Sequence, residues 1–356
     1  MELLNNIDSF FEKVHKVYKT NLPFVVYRKP NETEISALCQ KTAELSILKS
    51  FKEKGFIFSP FSKSESKIIF PYDSCESFQS AIKNDFKLKS TISKINNAKD
   101  ENEKEQHINI VQNAIDFIRN NGAKKIVLSR KEIVSCKNVD VFEVLKKMLN
   151  NYKNAFVYCW FHPKIGLWMG ATPERLISIE KDNLKTMALA GTQKYNGTLS
   201  VKWQEKELHE QQFVTDFILE NIIDKIEHLQ VEGPYTVKAG SLVHLRTDIL
   251  GKLKASDLLE NIIHSLHPTP AICGIPRSIA TDFIIKKENY NRTFYSGYLG
   301  ELNINNSTNL VVNLRCMQLV ANKAILYIGG GITGESNAKN EWDETVAKAE
   351  IMLRVL

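Results

Sequence analysis

A glutamate stands on the apolar face of a helix predicted over 203–229, where a carboxylate is costly. Val214 and Ile218 mark the apolar stripe of this helix, and Glu210 lies on the same stripe one turn before Val214. A carboxylate that points inward needs a positive partner or a bound metal ion, because its desolvation is unfavourable. The alternative is that Glu210 lies in a frayed first turn and reaches solvent.

The helix predicted over 340–355 repeats this feature. Ile351 marks its inward face, and Glu344 and Lys348 fall on that face at the preceding turns, with Glu341 three residues before Glu344. The alternative for Glu344 and Lys348 is an ordinary surface pair at i,i+4 spacing.

Two inward glutamates on separate helices favour a hard cation with oxygen ligands. Mg²⁺ keeps several waters and takes few protein carboxylates, so Glu210 and Glu344 suffice for a magnesium site. The second helix also follows a glycine-rich turn at 329–334, where the backbone can approach a ligand closely.

Two other motifs are lookalikes. Gly329, Gly331 and Gly334 match GxGxxG, but the residues after Gly334 form one predicted helix and cannot complete a dinucleotide-binding fold. His209 and Glu210 match the first two positions of the HExxH motif of zinc proteases, but Phe213 occupies the place of the second histidine. The sequence therefore predicts neither a dinucleotide nor a zinc site.

Eight segments, in this order, resemble the chorismate-utilising enzymes, a family that includes isochorismate synthase, salicylate synthase, anthranilate synthase component I and aminodeoxychorismate synthase. The segments are KIVLSR (125–130), ATPERL (171–176), ALAGT (188–192), EKELHE (205–210), LHPTPAICGIP (266–276), NLRC (313–316), YIGGGI (327–332) and EWDETVAKAEIML (341–353). The resemblance covers roughly 100–356, and the first 100 residues are only loosely similar.

The resemblance implies an acid–base pair. Lys125 matches the lysine that activates water, and Glu174 matches the glutamate that assists departure of a ring hydroxyl. A free lysine is almost fully protonated at neutral pH, so Lys125 requires desolvation or nearby positive charge to act as a base. Burial would raise the pKa of Glu174 and keep it protonated as an acid.

The resemblance also implies the ligand contacts. Glu210 and Glu344 match the two magnesium ligands, and Glu341 matches an acid linked to the metal through water. Arg315, Lys348 and the backbone of Gly191 match groups that bind the substrate carboxylates. The implied substrate-binding set is Ala190, Gly191, Thr192, His244, Ala271, Arg315, Tyr327, Gly331 and Lys348.

Ala190 and Ala271 favour one member of the family. Aminodeoxychorismate synthases carry a nucleophilic lysine at the position of Ala190, and salicylate synthases tend to carry threonine at that of Ala271. The resemblance therefore predicts a magnesium-dependent isochorismate synthase, an isomerase that adds water at C2 of chorismate as the C4 hydroxyl leaves. The alternatives are a salicylate synthase, a catalytically silent chorismate-binding protein, and an amidotransferase-dependent subunit such as anthranilate synthase component I.

Three positions depart from the family pattern. Gln211 replaces a frequent histidine, Ala188 a common proline and Arg175 a common leucine. None of them removes a catalytic role. The pathway that uses the isochorismate, for menaquinone, for a siderophore or for salicylate, is left open.

Composition limits the partners of this chain of 356 residues. Its net charge of +6 is dispersed, without the basic stripe of a nucleic-acid binder, and no apolar run reaches membrane-spanning length. The N-terminal segment reads as a helix and not as a signal peptide. The six cysteines lie far apart and predict free thiols. We expect a cytoplasmic monomer that binds chorismate, with no membrane, no nucleic acid and no obligatory amidotransferase.

Strands and helices occur in separate blocks, which favours an α+β fold over a βαβ arrangement. Strands or strand-turn units are predicted over 124–134, 154–163, 167–180 and 184–192. Two further strands are predicted over 309–320 and 323–331, joined as a hairpin at Ala321 and Asn322. Helices are predicted over 1–19, 107–121, 203–229, 255–265, 278–287 and 340–355, and the polar stretch 94–106 as a surface loop or the start of a solvated helix. We expect one domain over 1–356, with large antiparallel sheets packed together and helices outside. Within it, we expect a variable N-terminal segment over 1–100 and a motif-bearing catalytic segment over 100–356.

Overall fold

The computed structural model describes residues 1–88, 101–239 and 242–356. Its helices are α1 (Ile7–Lys19), α2 (Glu101–Asn121), α3 (Val141–Asn151), α4 (Glu205–Ile222), α5 (Leu259–Leu266), α6 (Arg277–Lys287) and α7 (Ala338–Leu353). Its strands are β1 (Glu2–Leu4), β2 (Phe24–Arg28), β3 (Glu34–Gln40), β4 (Gly55–Ser59), β5 (Ile68–Pro71), β6 (Cys75–Ala81), β7 (Lys125–Ser135), β8 (Phe156–His162), β9 (Gly166–Thr172), β10 (Arg175–Glu180), β11 (Asn183–Lys194), β12 (Ile226–Ala239), β13 (Leu242–Leu253), β14 (Gly274–Ile275), β15 (Tyr298–Ile304), β16 (Ser307–Val312), β17 (Cys316–Val320) and β18 (Lys323–Ile332).

The strands form two large sheets. One has ten strands in the order β1-β6-β3-β2-β8-β9-β17-β18-β7-β14, and the other has eight in the order β12-β13-β11-β10-β16-β15-β4-β5. The strand pairs are antiparallel except for β1 and β6, which run parallel. The prediction of an α+β fold with large antiparallel sheets is confirmed.

The strand β2 shows where the core lies, because it is buried on both faces. Phe24 and Val26 join an apolar cluster that includes residues of α1, α3 and α7. Val25 and Tyr27 point the other way and join a cluster with residues of β4 and β15 from the second sheet. Successive strand residues point to opposite faces, so a continuous apolar run places this strand between a helical layer and the other sheet.

The second sheet buries its other face under α4 and α5. Ile177 and Ala188 of the sheet share one apolar cluster with Ile218 of α4 and Ile262 of α5. Helices therefore cover the outer faces of both sheets, as predicted.

Two predictions for the helices were wrong. The helix expected over 203–229 ends at Ile222, and β12 begins at Ile226. β12 is an edge strand with mostly exposed residues, so its sequence lacks the apolar alternation that identifies a strand. Helix α3 was missed, although Asp140 caps it by accepting a hydrogen bond from Phe142 N at 2.9 Å.

The strand expected over 309–320 is two strands in different sheets. β16 belongs to the eight-stranded sheet and β17 to the ten-stranded sheet, and the chain crosses between them at 313–315. Arg315 has φ of +48° there, a left-handed conformation. Such a conformation is usually predicted from a glycine, and the position holds an arginine instead. The apolar pattern continues through the crossing, which is why the sequence did not reveal it.

The segment expected over 167–180 is likewise two strands, β9 in the ten-stranded sheet and β10 in the eight-stranded sheet. The helix expected over 1–19 begins only at Ile7, and residues 2–4 form β1. The remaining predicted elements were found with small shifts. The β17–β18 hairpin turns at Ala321 and Asn322, and α2 ends before Gly122. Of the stretch 94–106, residues 101–106 begin α2, while 94–100 lie outside the described residues. All six cysteines are free, and five of them are buried. Among the described residues, no helix is both long and apolar enough to cross a membrane. The single-domain organisation stays a prediction.

Candidate active site

Three consecutive glycines of β18 form one wall of a cavity of about 160 Å³. A methyl group on Gly331 would lie 2.8 Å from Lys125 Cε and 3.0 Å from Glu210 Oε1. Lys348 Nζ donates a hydrogen bond to the carbonyl oxygen of Gly329 at 3.0 Å. The absence of side chains on this strand therefore lets charged groups from β7, α4 and α7 come together over it.

Lys125 and Glu210 form a buried ion pair beside Gly331. Lys125 Nζ lies 2.6 Å from Glu210 Oε1, and the two side chains are 2% and 19% exposed. Burial alone would raise the pKa of Glu210, but the charge and hydrogen bond of Lys125 outweigh it and hold that pKa below its ordinary value.

The first turn of α4 is fixed by Glu207, which accepts a hydrogen bond from Gln204 N at 2.9 Å. Glu210 therefore lies in the second turn of the helix and points to Lys125. The alternative of a solvent-exposed Glu210 in a frayed turn is wrong.

Glu174 lies in the tight connection between β9 and β10, and its side chain is buried. Its carbonyl oxygen accepts a hydrogen bond from Val312 N at 2.9 Å, which ties the connection to β16. Burial raises the pKa of Glu174 to about 7, although the charges of Lys125 and Arg315 act in the opposite direction. A carboxyl group of this kind carries a proton for a large share of the time near neutral pH.

Arg315, His244 and Gly191 form a hydrogen-bonded chain along another wall. Arg315 Nη2 can only donate, so His244 Nε2 accepts its hydrogen bond at 2.8 Å. The ring proton of neutral His244 is then on Nδ1, which lies 2.9 Å from the Gly191 carbonyl oxygen. Burial lowers the pKa of His244 to about 3, and the charge of Arg315 adds to this effect.

The irregular pairing of β11 explains why the Gly191 carbonyl oxygen is available. The register of β11 with β13 shifts between Ala190 and Gln193, and Gly191 has φ of +68°. A bulge of this kind turns the backbone away from the ladder and redirects its polar groups.

Burial lowers the pKa of the Arg315 guanidinium to about 10, although the charges of Tyr152 and Glu174 act in the opposite direction.

Most of the predicted site residues line the same cavity. They are Glu174, Ala190, Gly191, Thr192, Glu210, His244, Ala271, Arg315, Tyr327, Gly331, Glu344 and Lys348. Lys125 lies behind this lining and reaches it through its contacts with Gly331 and Glu210. Tyr327 is held by stacking on Trp168 and Tyr295, with ring centroids 5.0 Å and 5.6 Å apart.

Glu341, like Lys125, is a predicted site residue that does not line the cavity. It is buried on α7, and its carboxylate lies 3.6 Å from the position that a methyl group on Gly330 would take. Lys206 Nζ contacts it at 3.2 Å. Residues three apart on a helix lie on nearly the same face but do not point in the same direction. Glu341 therefore points to one side of Glu344.

The carboxylates predicted to serve a magnesium ion are each paired with a lysine. The pairs are Lys125 with Glu210 (2.6 Å), Lys348 with Glu344 (2.7 Å) and Lys206 with Glu341 (3.2 Å). Glu344 and Lys348 do form the i,i+4 ion pair that the alternative predicted, and both residues also line the cavity.

The donor set fits a magnesium ion held by two carboxylates. Glu210 and Glu344 line the cavity from separate helices, and the lowered pKa of Glu210 keeps it ionised. In the ranges 1–88, 101–239 and 242–356, no group of three or more His, Cys, Asp or Glu side chains is placed to hold a metal. Mg²⁺ needs only one or two protein carboxylates when water and a ligand supply the remaining oxygens.

Some residues of this region were missed from the sequence. Lys206 lines the cavity one turn before Glu210, so the helical spacing that identified Glu210 also points to it. Arg292 lies behind the cavity in a buried ion pair with Glu288 at 2.6 Å. It donates to the carbonyl oxygens of Val127 and Ile272, which line the cavity. No sequence pattern links these distant segments.

The sequence of this chain matches a protein family and several named proteins. Residues 61–356 match a family described as chorismate binding enzymes. A protein of Pseudomonas aeruginosa named salicylate biosynthesis isochorismate synthase is 28% identical over 69% of this chain and 53% of its own length. Isochorismate synthase MenF of Bacillus subtilis is 27% identical over 73% of this chain and 57% of its own length. The aligned region thus spans little more than half of each of these relatives.

A solved structure supports the fold. The menaquinone-specific isochorismate synthase MenF of Escherichia coli superposes with a TM-score of 0.77 at 21% identity, covering 94% of this chain and 88% of that one. At this identity the likeness concerns the fold.

Proposed function

We propose that this chain, which belongs to the chorismate binding enzymes, converts chorismate to isochorismate. The observation that carries the proposal is the cavity that joins a buried carboxyl group of pKa about 7, Glu174, to the buried ion pair of Lys125 and Glu210. An acid and a potential base are thereby available together at one site. The names of the relatives support the same activity.

The proposed reaction balances with these two residues. Lys125 takes a proton from the water that attacks C2 of chorismate, and Glu174 gives a proton to the C4 hydroxyl, which leaves as water. The double bonds of the ring shift between these positions, so substrate and product are isomers. The base role requires that Lys125 separate from Glu210, because the contact at 2.6 Å occupies the Nζ atom that would accept the proton from water.

The remaining lining residues support recognition of a dicarboxylate. Arg315 and Lys348 bring two positive charges to the cavity, and Arg315 is oriented by its hydrogen bond to His244. An oriented guanidinium binds a carboxylate with good geometry. Ala190 brings no nucleophile to the wall, which favours water over an enzyme amine as the attacking group.

Glu210 and Glu344 would hold a magnesium ion, whose charge would neutralise a carboxylate of the ring. Lys125 and Lys348 balance these two carboxylates in the arrangement described above. We also propose that the enzyme acts as a cytoplasmic monomer without an amidotransferase subunit.

A product assay tests this function. The purified protein is incubated with chorismate and Mg²⁺, without ammonia or glutamine, and early products are separated. Isochorismate should form until a mixture with chorismate is reached, and isochorismate alone should approach the same mixture. EDTA should abolish turnover, and added Mg²⁺ should restore it.

Other products would contradict the proposal. Pyruvate that forms as fast as chorismate disappears, with salicylate beside it, would identify a salicylate synthase. Anthranilate formed with ammonia would identify an anthranilate synthase, and unchanged chorismate would indicate a silent binding protein. Full activity in EDTA would remove magnesium from the proposal.

A further inference from the structure

A second and larger cavity adjoins the first. Its volume is about 1080 Å³, and it shares Pro173, Leu189 and Arg315 with the lining of the first cavity. This volume is large enough for a small organic molecule.

The charge of the second cavity has one sign. Its lining includes six cationic side chains: Lys153, Arg175, Lys238, Arg246, Arg315 and Arg354. No lining residue is an aspartate or a glutamate. A cleft of uniform positive charge attracts anions and raises their local concentration.

Some of this charge is left without a counter-ion. Arg246 pairs with Asp248 at 2.6 Å, and Lys153 with Asp85 at 2.9 Å. Among the residues that the structure describes, Arg175 and Lys238 form no ion pair. Burial lowers the pKa of Arg175, and the charge of Arg246 adds to this effect, while the charge of Asp248 acts in the opposite direction. Asp248 thus offsets part of the repulsion between these like charges, and an anion bound in the cavity would offset more of it.

The other walls of this cavity are suited to an apolar body. Met187, Leu189, Leu199 and Ile351 line it beside the cationic groups. Tyr195 also lines it, and its ring lies 4.0 Å from Lys238 Nζ, which fixes that charge at the wall. Guanidinium groups favour planar carboxylates, so the ligand class is an organic carboxylate with a hydrophobic ring or chain.

We propose that the second cavity is a binding site for a small organic carboxylate, separate from the first cavity. Arg315 lies in the wall between the two sites. The use of chorismate as the probe rests on the proposed function, since chorismate combines two carboxylates with an apolar ring.

Calorimetric titration with chorismate tests the site. The Glu174→Gln variant is used as the parent because it should bind chorismate and convert it far more slowly than the unaltered protein. We expect two equivalents of chorismate to bind to this parent. Adding Arg175→Leu and Lys238→Gln should leave one equivalent, whereas the control changes Lys185→Gln and Lys323→Gln, at exposed positions outside both cavities, should leave two.

A second variant guards against an effect on folding. Arg354→Gln changes an exposed residue at the end of α7 and should weaken only the second equivalent, by roughly tenfold for one charged hydrogen bond. Binding of a single equivalent by the parent, or two equivalents unaffected by the Arg175 and Lys238 changes, would overturn the inference. Its failure is distinct from that of the proposed function, because conversion of chorismate by the unaltered protein is measured separately.

Discussion

Two glutamates approach the same cavity from different elements and differ in protonation. Glu174 comes from the connection between β9 and β10, and its pKa is raised to about 7 because burial dominates. Glu210 comes from α4, and its pKa lies below the ordinary value because Lys125 is 2.6 Å away. Both groups are protein carboxylates shielded from water, so the amino-acid type does not account for the difference.

The distance to a positive charge decides between the two roles. Lys125 and Arg315 act on Glu174 through space and only reduce the effect of burial. Direct contact with Lys125 reverses that effect at Glu210. One cavity can therefore hold a proton donor and an ionised cation ligand at the same pH.

The largest expected effect is the loss of activity when the proton donor or the base is removed. Glu174→Gln removes the proton donor and should lower kcat by a factor on the order of 10²–10⁴, and Lys125→Ala should do so by a similar factor through loss of the base. Glu180→Gln, at an exposed end of β10, is the matched control and should leave kcat unchanged. Near-normal kcat in either variant would remove that residue from the mechanism.

The second effect is a loss of stability when the ion pair of Glu210 with Lys125 is broken. Glu210→Gln would leave the buried Lys125 side chain without its ion-pair partner, which should cost about 3–5 kcal/mol in the free energy of unfolding. Urea denaturation measures this cost, and Glu220→Gln on the exposed face of α4 is the control. Adding Lys125→Met should recover most of the loss, and a lack of recovery would show that the ion pair is not the cause.

The third effect depends on pH. The pKa of Glu174 is raised from 4.5 to about 7, so ionisation of this group between these values is more costly in the folded than in the unfolded state. The stability of the unaltered protein should fall between pH 4.5 and 7 by about 3 kcal/mol relative to Glu174→Gln, because the neutral amide does not ionise. Unfolding free energies of both proteins across pH 5–8 test this, and a constant difference would contradict it.

The smallest effect concerns the wall that brings Lys125 and Glu210 together. Gly331→Ala would place a methyl group 2.8 Å from Lys125 Cε, so the pair must shift, at a cost of about 1–3 kcal/mol. In Gly334→Ala the new methyl group meets its nearest neighbour at 3.5 Å, which makes this variant the control. Equal thermal stability of the two variants would show that the pair adapts without cost.

The sequence predicted the elements best where local pattern and packing agree. The spacing of apolar residues in α2 and α7 reflects burial of one helix face, and the β17–β18 hairpin follows from two apolar runs joined by a short turn. The exposed edge strand β12 and the crossing at 313–315 were not found. In both places the structure depends on partners that are distant in the chain.

The inward positions of Glu210, Glu344 and Lys348, and the motifs that carry the family resemblance, are properties of the sequence alone. Only the tertiary structure decided which positive charge each carboxylate contacts, since Lys125 and Glu210 are 85 residues apart. It likewise decided that Glu341 pairs with Lys206 and that Arg175 lies among other cations in a second cavity. Electrostatic effects depend on distance and burial in space, and the order of residues along a chain specifies neither.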